Sequence, residues 1–230
     1  MCLKACDLYD LIEAKQREHF QGSRQWLLDE VREWVKGPKR LFWLVGGAGT
    51  GKSVVSAQLL LTEGVQEHVK AWHFCRHDNA AGNSVRAILQ SLAAILTVML
   101  PSFQVEDVAK ALSASSVDEM FELLIAAPLK RITQIHDGQA QQKAGQSVQT
   151  PALPPCVIVL DAVDELPPEC LDDVLQLITD KFGELPAFVR LFITVSRLWV
   201  CGGRGSWCHY RLLPRPPACF IIIFFLFCFS

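Results

Sequence analysis

The chain has 230 residues, 50% hydrophobic and 20% charged, which suits one α/β domain with a sizeable core and short flanking pieces. A formal net charge of -2 and the lack of any Lys/Arg run leave direct DNA or RNA binding without an electrostatic footprint. The 9 cysteines, scattered and odd in number, fit reduced thiols rather than a disulfide framework, and Asp7, Asp10 and Glu13 exclude a secretory signal, so a cytoplasmic protein is expected.

Leu8 to Phe20 reads as a helix of mixed polarity that Gly22-Ser23 breaks, with Ser23 placed to cap a second helix. In that second helix Leu27, Val31, Trp34 and Val35 share one face, which ends at Gly37-Pro38 and is expected to pack beside the first strand. The apolar run Leu41-Phe42-Trp43-Leu44-Val45 predicts a buried strand. Directly after it, Gly46-Gly47-Ala48-Gly49-Thr50-Gly51-Lys52-Ser53 forms a complete Walker A loop.

The chemistry of that loop follows from its residue types. Glycines let successive backbone N–H groups turn inward onto phosphate oxygens, and the helix beginning near Lys52 adds its positive end. Lys52 would bridge the β and γ phosphates, and the Ser53 hydroxyl would hold Mg²⁺ without adding a second negative charge. Val54, Val55, Gln58, Leu59 and Thr62 continue at helical spacing, while small Ser56 and Ala57 allow close packing on the sheet.

Val69 to Cys75 predicts a second strand, and Ser84 to Leu100 a long helix with Val85, Ile88, Leu89, Leu92, Ile95, Leu96 and Met99 on one side, stopped by Pro101. A further helix is predicted over Val117 to Ala127. Residues 137 to 155 turn polar and rich in Gln, Gly and Pro, which predicts a surface insertion without chemistry. His73, Cys75 and His77 alternate along a strand, but three ligands on one strand rarely converge on a metal. Trp26, Trp34, Trp43 and Trp72 are expected in the core.

Cys156-Val157-Ile158-Val159-Leu160 has the all-apolar character of a strand buried on both faces, and it ends at Asp161, where an acid can reach a P-loop metal. Asp164 and Glu165 follow closely enough to reach the same metal or a water aligned on the γ-phosphate. Pro167-Pro168 opens a helix with Leu171, Val174, Leu175 and Ile178 inward, and Leu191 to Val195 predicts another strand ending at Ser196-Arg197. At that position Arg197 can grip a γ-phosphate in a fork. Strands alternating with helices predict a three-layer α/β P-loop NTPase, its mostly parallel sheet flanked by helices and its ligand at the carboxyl ends of the strands.

Val45 to Ser53, the segment Val157-Ile158-Val159-Leu160-Asp161-Ala162-Val163-Asp164-Glu165 and Phe192-Ile193-Thr194-Val195-Ser196-Arg197 together resemble the NACHT branch of the STAND P-loop NTPases. The distinctive part is the small Ala162 after the Mg²⁺-binding Asp161, with paired acids Asp164 and Glu165 beyond. Phe20-Gln21-Gly22-Ser23-Arg24-Gln25-Trp26-Leu27 and His73-Phe74-Cys75-Arg76-His77-Asp78 resemble its nephrocystin-type N-terminal version, and the resemblance spans roughly residues 15 to 197. One departure is Val195, where the family more often has Thr before Ser-Arg.

The resemblance implies an ASCE-type strand order, with the strand ending at Arg197 between the P-loop strand and the Asp161 strand. It also implies an ATP/ADP switch reset by hydrolysis, with Phe20 and Arg24 near the adenine and Arg197 as the phosphate sensor. Two functional classes stay open, a slow Mg²⁺-dependent ATPase using Lys52, Asp164, Glu165 and Arg197, and a nucleotide-gated scaffold or fragment that barely turns over. A GTPase lacks support, because no Asn/Thr-Lys-x-Asp motif is present and Asp164 stands where Asp-x-x-Gly needs glycine.

The expected organisation is an N-terminal helical segment at 1–37, an NTPase core at 38–197 with the insertion at 137–155, and a Pro/Gly/Cys-containing hydrophobic tail at 198–230. The apolar run from Cys219 to Phe229 is short for a membrane helix, so membrane attachment is not expected. A tail anchor, a last sheet strand and a misread gene end are its three readings. The family's helical lid, winged-helix element and C-terminal repeats have no counterpart in the sequence, so protein partners or self-association are expected through parts beyond this chain.

Overall fold

The computed structural model describes residues 3, 9–18, 24–78, 82–143, 152–196 and 220–225. Its centre is a parallel sheet of β1 (Leu41–Gly46), β2 (Val69–Phe74), β3 (Cys156–Asp161), β4 (Val189–Val195) and β5 (Phe220–Phe225), in the spatial order β2-β3-β4-β1-β5. Every residue of β1, β3 and β4 is buried, because helices cover both faces. That is why these strands read as continuous apolar runs rather than as alternating ones. β4 does lie between β1 and β3, the ASCE-type order.

On one face α2 (Gln25–Lys36) and α3 (Lys52–Leu59) bring Leu27, Val31, Val35, Val55 and Leu59 against Leu44, Val157 and Val159. Trp34 meets Phe42 edge-on with centroids 5.4 Å apart, and Phe42 stacks on Phe192 at 5.1 Å, so the predicted apolar stripe of α2 clamps β1 and β4 together. α1 (Tyr9–Arg17) lies over α3, with Ile12 against Ala57 and Phe74 and the Gln16 amide donating to the Ala57 carbonyl over 3.1 Å. Ala57 is thus the point of close packing, while its neighbour Ser56 turns to the functional end.

The other face carries α4 (Val85–Met99), α5 (Val108–Leu112), α6 (Val117–Phe121), α7 (Ala127–Lys143) and α8 (Pro168–Gln176). Ser84 caps α4 by accepting the Ala87 N–H over 3.1 Å, and the predicted face from Val85 to Leu96 is buried. A π-helical turn over Glu122–Ala126 joins α6 to α7, and a second, Leu177–Lys181, follows α8. An apolar cavity of about 60 Å³ lies between these layers, lined among others by Leu92, Ile125, Ile158, Val174, Leu177 and Leu191.

Several expectations are corrected. The helix does not stop at Ala127. The Ala127 N–H reaches back five residues to the Glu122 carbonyl, and this widened turn takes up the break in the ladder that Pro128 imposes. Residues 137–143, expected in a loop insertion, are the C-terminal end of α7. Met99 is 36% exposed and Trp26 55% exposed, so neither belongs to the core; Trp26 sits on the outward side of α2, opposite Leu27 and Leu28. α3 ends at Leu59, leaving Thr62 beyond the helix to donate to the Gln58 carbonyl over 2.8 Å. Ser23 and the rest of the expected loop at 144–151 lie outside the described residues.

Of the tail, residues 220–225 form the edge strand, paired with β1 from Leu41↔Phe220 to Gly46↔Phe225. Among the described residues no helix is long and apolar enough to cross a membrane.

Candidate nucleotide site

The ladder registers bring the functional ends of the strands to one level. Val45 lies opposite Val195, Leu160 opposite Ile193, and Phe74 opposite Asp161, so the P-loop, Asp161 and Ser196 emerge side by side. This is the carboxyl edge of the sheet, where parallel α/β proteins bind ligands.

The P-loop leaves β1 at Gly46 and turns at Gly49 and Gly51, whose φ values of 74° and 83° lie in the left-handed region that only glycine enters cheaply. A Cβ at Gly51 would in addition sit 2.5 Å from Nη2 of Arg24, so that a side chain there would push the guanidinium aside. That guanidinium donates to the Thr50 carbonyl over 2.9 Å and braces the loop from outside, while the Thr50 hydroxyl donates to the Gly47 carbonyl over 2.9 Å. Lys52 is buried and folded back, its ammonium donating to the carbonyls of Gly46 at 2.8 Å and Gly47 at 2.9 Å. Burial lowers its pKa from the ordinary lysine value, opposed by the negative charges of Asp164, Asp161 and Glu165.

Asp161 is 1% exposed at the end of β3. Its Oδ1 accepts the Ser56 hydroxyl at 2.6 Å and the Thr194 hydroxyl at 2.7 Å. Burial raises its pKa, opposed by hydrogen bonds from Ser53, Ser56 and Thr194 and by the charge of Lys52. The same Thr194 oxygen accepts the Ala162 N–H at 2.8 Å. Ala162 itself is left-handed at φ 53°, a conformation that a β-branched or bulky side chain would strain most, and it starts the tight turn through Val163–Glu165. That turn directs the two following acids apart. Asp164 Oδ1 accepts the Ser196 N–H from the β4 side at 2.9 Å, and Glu165 Oε2 accepts the His77 N–H from the β2 side at 3.1 Å, with His77 Nδ1 at 3.4 Å.

All of Gly46, Gly47, Ala48, Gly49, Thr50, Gly51, Lys52, Ser53, Arg24, Asp161, Asp164 and Glu165 therefore gather at one edge, whereas Phe20 and Arg197 lie outside the described residues. Sequence reasoning missed Ser56, Thr194 and the backbone partners of the two acids. Ser56 stands three residues after Ser53, on the same side of a helix, and Thr194 interrupts an apolar strand; these were the available signals.

The family model of nephrocystin 3, N-terminal, matches residues 22–197. The chain belongs to this family. The match takes in every described residue of the nephrocystin 3 N-terminal site named above and stops before β5. No curated protein matches the chain. Among solved structures, the chain is similar to one from Drosophila ORC bound to poly(dA/dT) DNA and Cdc6, at 12% identity with a TM-score of 0.40, covering 83% of this chain and 27% of that one. The strand order, the P-loop and the strand-end aspartate of this nephrocystin 3 N-terminal chain make it a P-loop NTPase fold.

The site fits a magnesium nucleotide. It offers a left-handed glycine cradle, a lysine ammonium, and hard oxygen donors in Ser53 and Asp161 of the kind Mg²⁺ takes. Arg24 Nε is buried without a hydrogen-bond partner among the described residues, a further donor beside the loop.

Proposed function

We propose that this chain is the ATP/ADP-binding core of a NACHT-type STAND switch that hydrolyses ATP slowly and acts in intracellular signalling. The observation that carries the reading is the buried Asp161 carboxylate, fixed by Ser56 and Thr194 against the helix that bears Lys52 and Ser53. An acid held ionisable in that position, at the cost of its burial, has a use if a cation comes to it. Mg²⁺ held by Ser53 and Asp161 would neutralise charge on the transferred phosphate.

The chain's own residues divide the remaining work. The N–H groups of Gly46 to Ser53 receive phosphate oxygens, and Lys52 exchanges two loop carbonyls for them. Glu165 orients the attacking water once its carboxylate leaves the His77 N–H. Phe20 and Arg24 serve the adenine side and Arg197 reads the γ-phosphate, as the family resemblance implies. Cys156 and Cys170, thiols that form no disulfide among the described residues, suit a reducing cytoplasm.

A second reading, a nucleotide-gated scaffold with negligible turnover, is favoured by the engagement of Glu165 with His77, which occupies the carboxylate in the resting arrangement. Phosphate release over many turnovers by the full chain and by Glu165→Gln separates the two. An ATPase is expected to lose at least tenfold in the variant, and equal rates would remove Glu165 from the chemistry. Nucleotide released by heat from the purified chain is expected to be ADP or ATP; recovery of GDP would overturn the adenine assignment.

A further inference from the structure

The residue types at 164 and 165 suggested two acids facing metal or water, but the structure turns them to opposite sides. The turn after β3 sits between the ends of β2 and β4, and each acid accepts a backbone N–H from one of those ends. The Asp164 contact has a specific structural use. β4 pairs with β3 only as far as Ile193 and with β1 only as far as Val195, so the Ser196 N–H lies one residue past the ladders. Asp164 Oδ1 takes that N–H at 2.9 Å and substitutes a side chain for the missing ladder partner. A carboxylate makes this a charge-assisted bond, stronger than a neutral one.

The start of the turn is also fixed, since the Ala162 N–H is held by the Thr194 hydroxyl. Two bonds, one at the residue that precedes the Val163–Glu165 turn and one at its middle residue, thus lock the stretch that follows Asp161 onto the last residues of β4 and Ser196. Because β4 runs between the P-loop strand and the Asp161 strand, its end forms the wall between the two halves of the site.

We propose that Asp164 is a positioning residue that pins the end of β4 beside the phosphate site through the Ser196 N–H, rather than a metal ligand or a base. This rests on the nucleotide-site reading above for its functional consequence. The pin holds the chain leaving β4 at a fixed point beside the P-loop. Losing it lets that point drift, so the site would no longer separate a triphosphate from a diphosphate.

The test compares the full chain with Asp164→Asn, which keeps an oxygen acceptor but cannot act as a base and ligates Mg²⁺ poorly, and with Asp164→Ala, which keeps neither. Amide hydrogen exchange in the nucleotide-free protein is read in peptides covering Ser196, alongside the ATP:ADP affinity ratio. Asp164→Ala is expected to speed exchange at Ser196 at least tenfold and move the affinity ratio at least fivefold. Asp164→Asn, whose neutral acceptor makes the weaker bond, is expected to exchange at a rate between the parent and Asp164→Ala and to keep the affinity ratio within threefold of the parent. Unchanged exchange in Asp164→Ala would overturn the proposal, as would a loss of nucleotide discrimination in Asp164→Asn equal to that in Asp164→Ala. If the parent binds no nucleotide, the switch reading fails, while the exchange at Ser196 still decides whether the pin exists.

Discussion

The Thr194 hydroxyl donates to Asp161 Oδ1 over 2.7 Å, tying the middle strand of the site to the candidate metal-binding acid. Because its oxygen also accepts the Ala162 N–H, one side chain orients both the carboxylate and the left-handed turn after it. Thr194→Val keeps the shape and removes the hydroxyl. It strands a buried N–H and takes a donor from a buried carboxylate, at a cost of about 1–3 kcal/mol. Urea unfolding is expected to show that loss, and Thr194→Ser to recover most of it; a Thr194→Val variant as stable as the parent would contradict the role.

Gly51 and Arg24 form a second pair whose coupling is measurable. Gly51→Ala meets two obstacles, the positive φ, which costs a non-glycine residue about 1–2 kcal/mol, and the Arg24 guanidinium in its path. Arg24→Ala removes the second obstacle only. The double variant is therefore expected to be more stable than the sum of the two single losses, read in a thermal-unfolding cycle; strict additivity would mean that the two groups do not meet.

Thr194 and Arg24 also show where the sequence stops being legible. The Walker A loop and the apolar runs of β1 and β3 are local signals, each readable without knowing its neighbours. The destination of the Thr194 hydroxyl depends on β4 lying next to β3, a relation between residues 33 positions apart. α7 was hidden for a different reason. Pro128 reads as a helix stop unless a π turn precedes it, and the sequence at the end of the helix carries no apolar period. Trp26 misled because size suggests core, while its place on α2 points it to water.

His73 sets an acid limit on stability. It is 1% exposed on β2, and burial pushes its pKa down from 6.5 to about 4, partly opposed by a hydrogen bond with the Gly82 backbone. The unfolded chain binds a proton below 6.5 and the folded chain only near 4, so stability is intact above 6.5 and falls as pH drops through that window. The full loss is about 3 kcal/mol. His73→Leu is expected to flatten this part of the profile. The comparison is made as a difference between the two proteins, because the raised pKa of Asp161 acts in the opposite sense, its stabilisation being lost as pH rises through the folded value. Identical pH profiles would show that His73 is not buried neutral.

The cavity of about 60 Å³ leaves room for an added methyl group. Val174 lines it from α8, next to the π turn at Leu177–Lys181. Val174→Ile is expected to raise unfolding stability by up to about 0.8 kcal/mol, the transfer free energy of one methylene. A loss of similar size in chemical denaturation would show the space to be closed by packing motions instead.

The central claim, that the edge built from Gly46–Ser53 and Asp161 receives a magnesium nucleotide, is tested most directly by calorimetric titration of the full chain with MgADP and MgATP, beside Lys52→Ala. Saturable one-to-one binding by the parent is expected, weakened at least tenfold in Lys52→Ala, the variant that lacks the ammonium now resting on the Gly46 and Gly47 carbonyls. Equal affinity in the two proteins, or no binding by the parent, would contradict the account.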